Sequence, residues 1–372
     1  MRVWPFKPLT PLTESLEWAT DIFRAKASEQ RIALRVNPRR VFQMSHFMRD
    51  AKANYARTLI RNAQADGGFL VPDWTQVDNV GAVAPGTAVN IPVQLESVYY
   101  GERALLWESE TNFESLDITW DSNGITADVS RNYSNAVVMP LWLGDTPDGL
   151  TLSRRGSDIN TATIGFVLTD DNDLSSSSYS TYRGHDVIPD CPVISSGSFE
   201  ESIGFPLSTF SAPAGDVKYL RARDLPDNTF QMRWHEFSRD DVFTLRQWLH
   251  SRRGRQKAFW LSSYAKDYEP VTISGTNVTV YNDILTRPAG FDIEIVSAGV
   301  SYYRQALSLS AGTPVGGRPT VDITVDSSVP VSSAERISNL LCARFDADRI
   351  DMRHQAKAGT IVQVPCREVP VP

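Results

Sequence analysis

Residues 230–263 read FQMRWHEFSRDDVFTLRQWLHSRRGRQKAFWLSS and contain, in order, the end of a strand, a helix and a second strand. Apolar residues recur at helical spacing, and Ser238 with an Asp three residues later has the spacing of a capping box. The pattern predicts a helix over 238–253 that ends at Gly254. A short aromatic strand is expected at 259–261.

An earlier copy of this stretch occupies residues 42–75, which read FQMSHFMRDAKANYARTLIRNAQADGGFLVPDWT. The tripeptide Phe-Gln-Met recurs at an offset of 188 (230 − 42), and the Arg-Asp pair recurs at 190 (240 − 50). At the offset of 190, Leu59 corresponds to Leu249 and Phe69 corresponds to Phe259. We therefore expect two copies of one strand–helix–strand module, produced by an internal duplication. The alternative is two unrelated units with the same boundary chemistry.

Length and composition indicate a globular chain with more than one domain. The 372 residues exceed what one core ordinarily holds, and we expect an N-terminal arm at 1–28, a first β-rich module at 29–215 and a second at 216–372. The 3 cysteines have no short pairing pattern, which argues against a disulfide scaffold and a zinc site. No apolar run approaches the roughly 20 residues of a membrane span.

Charge and the N-terminal sequence limit the partners. A formal net charge of −7 argues against general nucleic-acid affinity, because such binding depends on neutralising phosphates with Lys and Arg. The N-terminus has no signal-peptide pattern, which predicts synthesis and first folding in the cytoplasm.

The first 36 residues leave two questions open. The proline-rich, aromatic segment 1–11 suits either an arm that packs on something else or a frayed terminus with one anchoring Trp. Residues 12–27 fit helical spacing but would also suit a strand. Residues 30–36 alternate as a strand, with Ile32, Leu34 and Val36 on one face.

Short strands with turns between them follow each copy of the module, which is typical of sandwiches and barrels. Asn123–Gly124 marks a hairpin, because these residues tolerate the positive φ angles of a tight turn. The fold prediction is mainly β (α+β), with two β-sandwich or barrel domains that each carry a flanking helix. The predicted strands are 87–91, 116–120, 124–129, 136–143, 162–168 and 207–210 in the first half, and 271–273, 278–281, 291–296, 301–310, 320–325, 340–345, 349–353 and 360–364 in the second.

Candidate chemical groups are few. The acidic run 170–173 has oxygen ligands but lacks the calcium-loop spacing, so a solvated loop over 170–182 is the simpler interpretation. His185, Asp186 and Cys191 could form a thiol nucleophile with a base, yet no local signature of a cysteine hydrolase surrounds them. The other histidines are dispersed, and phosphate-loop and dinucleotide motifs are absent from the sequence. We expect no enzyme, no cofactor and no metal.

One concentrated basic patch lies at the predicted helix end. It consists of Arg252, Arg253, Arg255 and Lys257. Cations at a helix C-terminus are favourable in themselves. Several Arg side chains on a rigid helix end also suit bidentate pairing with acidic loops, so these four residues are our candidate intersubunit contact.

At these residues the sequence resembles minor tail proteins of long-tailed, non-contractile bacteriophages, the tail-tip group that includes distal tail proteins and baseplate hubs. The likeness covers about half of the chain and assigns no catalytic residue. It is carried by the helix before Gly254 with its aromatic strand 259–261, the fainter copy at 67–74, and the C-terminal run LCARFDADRI at 341–350.

The resemblance implies a structural protein of the virion tail, assembled in the host cytoplasm, that forms a ring around a central channel and docks other tail proteins. DNA would be passing cargo only. Two similar modules per chain favour a trimeric hub, because three copies present six pseudo-equivalent modules; a ring of six whole chains is the alternative. The other function class left open is a glycan-binding or hydrolytic module that acts on a cell surface.

Overall fold

The computed structural model describes residues 2–25, 28–93, 100–121, 124–154, 158–169, 173–189, 191, 201–205, 207–210, 215, 217–221, 227–282, 289–356 and 359–371. Strands make up most of these residues, and two helices lie among them. The predicted mainly β class is confirmed.

The elements of the first half run in the following order. They are β1 (Arg2–Val3), β2 (Leu12–Arg24), β3 (Glu29–Arg49), α1 (Asp50–Asp66), β4 (Phe69–Pro72), β5 (Asp78–Val83), β6 (Gly86–Ile91), β7 (Arg103–Trp107), β8 (Phe113–Asp117), β9 (Thr119–Asp121), β10 (Gly124–Val129), β11 (Tyr133–Asp145), β12 (Leu150–Arg154) and β13 (Ile159–Leu168).

The described residues of the second half form the remaining strands and the second helix. They are β14 (Thr181–Tyr182), β15 (His185–Ile188), β16 (Glu201–Gly204), β17 (Leu207–Phe210), β18 (Lys218–Arg221), β19 (Asp227–Glu236), α2 (Arg239–Arg252), β20 (Phe259–Ser262), β21 (Pro270–Ser274), β22 (Asn277–Tyr281), β23 (Asp292–Ser297), β24 (Val300–Ala311), β25 (Thr320–Val325), β26 (Arg336–Phe345), β27 (Arg349–His354) and β28 (Thr360–Glu368).

The open choice at residues 12–27 is resolved in favour of a strand over Leu12–Arg24, and residues 26 and 27 lie outside the described residues. Strand β2 pairs with β3 along one edge and with β27 along the other, so both sides of its backbone find ladder partners. The segment before it packs against its own chain. Trp4 and Phe6 are buried among the aromatic residues of the first half, and β1 runs parallel to β4.

Each half contains a sheet with the same strand order. In the first unit the order is β1–β4–β11–β13–β3–β2, with β12 beside β13. In the second unit it is β15–β20–β26–β28–β19–β16, with β27 beside β28. The first pair of strands is parallel in both units and every other pair is antiparallel.

The residue register of the two sheets is also the same. Phe42 lies opposite Phe166, and Phe230 lies opposite Cys366. The offsets are therefore 188 (230 − 42) on β3 and 200 (366 − 166) on β13. Because a slip of one residue would turn every side chain to the other face, an equal register over whole strands is a strong constraint.

A second route around the sheet gives the same offsets. Phe69 faces Gly144 and Phe259 faces Ala343, so the offsets are 190 (259 − 69) and 199 (343 − 144). These strands in turn pair with β13 and β28, where the opposite residues again differ by 200 (368 − 168). Both predicted strand matches, at Phe42 and at Phe69, thus occupy equivalent strands.

The two helices differ in their ends. Helix α2 begins after Ser238, whose Oγ accepts a hydrogen bond from the Asp241 amide at 3.0 Å. Helix α1 begins after Arg49, which makes no side-chain cap bond. The N-caps differ by 189 (238 − 49) and the C-caps by 186 (253 − 67), because α1 has 17 residues and α2 has 14. The offset of 190 predicted for the helix is therefore wrong by one residue, and Leu59 corresponds to Trp248 (248 − 59 = 189) rather than to Leu249. Helix α2 ends at Arg252, with Arg253 in the left-handed conformation, slightly before the predicted stop.

Between the common strands each unit carries a different β subdomain with its own core. Strands β5–β10 enclose one around Leu106 and Ile125, and β21–β25 enclose the other around Val280 and Ile293. The main cores are built on matched residues, since Phe42, Met44 and Phe69 in the first unit correspond to Phe230, Met232 and Phe259 in the second. Among the described residues, neither helix combines the length and apolarity that crossing a membrane requires.

Candidate site: a closed junction and two open sheet edges

Strand β2 joins the two units within one chain. It pairs antiparallel with β27 of the second unit, from Leu12 opposite His354 to Glu17 opposite Arg349. Its side chains are shared as well, because Leu12 packs in the first core whereas Leu16 and Trp18 pack in the second. The junction is therefore a continuous sheet, and its shared strand β2 contributes apolar side chains to both cores.

A buried ionic cluster locks this junction. The Glu14 carboxylate is fully buried and accepts hydrogen bonds from Arg40 Nε at 3.0 Å and Arg246 Nη2 at 2.6 Å. His354 Nε2 lies 3.1 Å from the same carboxylate. Burial alone would raise the pKa of Glu14, but Arg246, Arg40 and His354 outweigh it and hold that pKa well below its usual value. The four residues come from both units, so the cluster fixes how the units meet.

Strand β2 and residues 29–36 of β3 form a hairpin, here called the first hairpin, that continues across the second unit. Asp348 accepts hydrogen bonds from the Thr20 amide at 2.9 Å through its carboxylate and from the Trp18 amide at 2.7 Å through its carbonyl. Gly254 makes this approach possible, because a Cβ there would lie 2.7 Å from the Asp348 carboxylate and 3.3 Å from Trp18 Cβ.

The second unit has an equivalent hairpin with a different environment. This second hairpin consists of β16 and β17 in its first arm and of β18 and the start of β19 in its second arm. Its first arm corresponds to β2 at an offset of 187 (210 − 23). Leu16 and Trp18 are 0% and 4% exposed, whereas their counterparts Ile203 and Phe205 are 65% and 42% exposed. Among the described residues β16 pairs with β19 alone.

Strand β12 is the counterpart of β27, and like β16 it has a strand partner on one edge only among the described residues. Leu150 lies opposite Ile164 and Ile350 lies opposite Val364, so β12 and β27 differ by 200 (350 − 150). Within the described part of the chain β12 pairs with β13 alone, whereas β27 pairs with both β28 and β2. Each chain therefore has one closed junction and presents the two matching edges of a second one.

The predicted basic patch lies partly inside the chain. Arg252 is 8% exposed and its guanidinium contacts Asp186 at 2.9 Å and the Ala258 carbonyl at 3.0 Å. Arg255 Nη2 donates to the Asp346 carbonyl at 2.9 Å, next to the first hairpin. We therefore place the roles of Arg252 and Arg255 within the fold. The contact of Arg253 and Lys257 with a neighbour stays a prediction.

Asp186, one of the three residues considered for chemistry, is held by structural contacts. Asp186 binds Arg252 and accepts a hydrogen bond from Ser177 Oγ at 2.5 Å. Burial lowers the pKa of His185 and raises that of Cys191, which disfavours both an imidazolium and a thiolate. Asp170, Asp171 and Asn172 lie outside the described residues. In the described ranges, no group of three or more His, Cys, Asp and Glu side chains could hold a metal ion.

A cavity of about 440 Å³ opens beside the junction. Trp74 and Trp107 line it with their rings edge to face at 5.2 Å, and His354 and Arg239 form part of the opposite wall. Two buried atoms on this side, Gln76 Oε1 and Trp74 Nε1, have no hydrogen-bond partner among the described residues.

The sequence identified the repeated module but not the junction. Glu14 belongs to an ordinary alternating pattern, and the junction strand beside it, β27, lies more than 330 positions away in the sequence. The repeat was the signal in the sequence that could have located the open edges, because applying the repeat offsets to the residues of the closed junction gives the matching residues at those edges.

No protein-family model matches this chain, and a search of curated proteins finds no similar sequence.

Proposed function

We propose that this chain is a structural, ring-forming component of a bacteriophage tail tip. It would close around the central channel at the end of the tail tube. The observation that supports the ring is the match between the closed junction, β2 with β27, and the two open edges, β16 and β12. The phage assignment rests on the sequence resemblance described above.

Three copies are the proposed stoichiometry. Each chain has one open β16 edge and one open β12 edge, so the β16 edge of one copy can pair with the β12 edge of the next. Such head-to-tail interfaces give a closed ring when the rotation from copy to copy adds up to a full turn. Three chains then supply six units that meet at six similar junctions. Closure also pairs the two open edges, β12 and β16, which removes a hazard for aggregation.

A repeated apolar surface supports docking to a sixfold partner. The outer face of the first hairpin exposes Phe23 and Ile32, although the opposite face is docked. The second hairpin exposes their counterparts Phe210 and Leu220. A trimer would present this pair six times around the axis. We propose that this surface meets the last sixfold ring of the tail tube.

Light scattering of the purified chain tests the ring. The expected mass is three times the 41.4 kDa of one chain. A ring of six chains would favour the distal tail protein, with one full copy per sixfold position. A monomer at every concentration reached would contradict the ring.

The junction cavity is the specific place for the second candidate function, glycan binding. Aromatic walls with a few polar atoms are typical of small-molecule sites. Calorimetry with cell-wall oligosaccharides would detect it as binding that is lost in Trp74→Ala and kept in Trp18→Phe, a change outside the cavity.

A further inference from the structure

We propose that the second hairpin of one copy binds β12 of the next copy in the same residue register as β2 binds β27 within the chain. This inference deepens the proposed ring and rests on it. It names the contacting residues on both sides.

The register follows from the two offsets. Leu16 lies opposite Ile350 at the closed junction. Adding the offset of 187 to Leu16 on β2 gives Ile203 of one copy, and subtracting the offset of 200 from Ile350 on β27 gives Leu150 of the next copy. On the same basis Glu201 lies opposite Leu152.

The apolar residues of the open edges suit this pairing. Ile203 and Phe205 replace two side chains that are fully buried at the closed junction, and both are large and exposed. Leu150 and Leu152 lie partly buried against the first core. Joining the edges would cover all four residues, as the closed junction covers Leu16 and Ile350.

The polar residues of the open edges are also complementary. Glu14 of the closed junction corresponds to Glu201, which is exposed and accepts a hydrogen bond from Asn228, the counterpart of Arg40, at 2.6 Å. The two other partners of Glu14 are His354, which corresponds to Arg154, and Arg246, which corresponds to Arg57. The first equivalence uses the strand offset of 200 (354 − 154) and the second uses the helix-cap offset of 189 (246 − 57).

Both arginines are available at the edge of the next copy. Arg154 is exposed at the end of β12, and Arg57 is partly exposed on α1, where its guanidinium bonds Asn54 at 2.5 Å. Glu201 of one copy would therefore meet two cations of the next, as Glu14 meets Arg246 and His354. Arg binds carboxylates well in such partly buried pairs.

The turn before β12 supplies one more matched residue. Asp348, which binds the first hairpin, corresponds to Asp148 at the same offset of 200 (348 − 148). Asp148 is exposed. It would accept the Phe205 and Leu207 amides of the neighbouring hairpin, as Asp348 accepts the Trp18 and Thr20 amides.

Disulfide trapping tests the register in the full chain. The background is Cys191→Ser, which removes the exposed thiol and leaves the buried Cys342 and Cys366. Residues directly opposite each other on antiparallel strands are close enough for a disulfide, whereas diagonal neighbours are about 7–8 Å apart. I203C with L150C should form intermolecular disulfides in most chains under mild oxidation, and I203C with L152C should form few. Intrachain E17C with R349C serves as the positive control.

Charge reversal tests the ionic contact separately. Glu201→Arg should convert the ring to monomers, and adding Arg57→Glu and Arg154→Glu should restore it. Glu102→Arg, an exposed change elsewhere, should leave the ring intact. If the chain stays monomeric before any substitution, the proposed ring itself fails. If the ring forms but traps the diagonal pair, or ignores Glu201→Arg, the ring stands and this register is wrong.

Discussion

At the scale of single residues, Glu14 fixes the two units in one arrangement. A buried carboxylate is unfavourable unless several cations and donors satisfy it, and here they come from β3, α2 and β27 together. Few other arrangements of the units could satisfy this group. The exposed counterpart Glu201 shows the same residue type at an edge where no second unit of the same chain is present.

Glu14→Gln should destabilise the chain strongly. The change removes the carboxylate that the buried Arg246 binds at 2.6 Å, while Arg40 keeps its ion pair with Asp73 at 3.0 Å. Removing one partner of a buried pair typically costs about 3–5 kcal/mol. Urea unfolding at pH 7 measures the loss, and Glu201→Gln in a dilute, monomeric sample is the matched control, expected to change the free energy of unfolding by less than about 0.5 kcal/mol. Equal effects of the two changes would contradict the role assigned to Glu14.

Acid should weaken the fold through His46. This ring accepts a hydrogen bond from Trp4 Nε1 at 3.2 Å and donates one through Nδ1 to the Lys7 carbonyl at 3.1 Å. Burial lowers the pKa of His46 from 6.5 to about 4. Because the folded-state pKa lies below the unfolded value, the stabilisation is complete above pH 6.5 and is lost as the pH falls towards 4, by roughly 2–3 kcal/mol.

The measurement is the free energy of unfolding at pH 7 and at pH 4.5 for the unmodified chain and for His46→Gln. The variant should lose part of the pH dependence. His250, whose pKa burial lowers to about 3, keeps a contribution of the same sign. Glu14 acts in a lower window, because its lowered pKa makes it lose its contribution below about pH 4.5. An unchanged pH dependence in His46→Gln would contradict the assignment.

At the scale of elements, the two helices provide an internal comparison. They occupy equivalent places after β3 and β19, yet only α2 has a side-chain cap. Helix α2 also packs Trp248 and Leu249 into its core where α1 packs Leu59 and several alanines. The same framework therefore accepts different helix surfaces, while the strand register is kept.

Ser238→Ala should lower the free energy of unfolding by about 1 kcal/mol, because it removes the bond to the Asp241 amide. Arg49→Ala at the equivalent position of α1 should change it by less than about 0.5 kcal/mol, since no side-chain cap bond is lost. Urea unfolding of both variants gives the comparison. A larger effect at Arg49 would contradict the cap assignment.

The strand-level predictions from the sequence were good where the signal is local. The repeat at Phe42 and Phe69, the two helices and the hairpin before Gly124 are all present. The pairing of β2 with β27 could not be predicted, because it joins residues more than 330 positions apart and alternation does not name a partner. Residues 12–27 were ambiguous for the same reason, since two-sided pairing rather than propensity determines that strand.

At the scale of the whole molecule, the proposed ring accounts for how the two units of the chain are joined. The described residues of the chain contain two units of equal strand order, one junction between them, and two open edges, β16 and β12, that match the strands of this junction. The internal duplication, which the equal registers support, would explain why both kinds of junction use corresponding residues. A net charge of −7 would suit a channel wall that does not bind the passing DNA.

Cryo-electron microscopy of the purified assembly is the most direct test of this account. We predict a closed ring of three chains with six units around one channel, in which β16 of each chain pairs with β12 of the next and Glu201 lies beside Arg57 and Arg154. A ring of six whole chains, with the two units in unlike environments, would contradict it. A ring in which neither β12 nor β16 pairs with a strand of a neighbouring chain would contradict it as well.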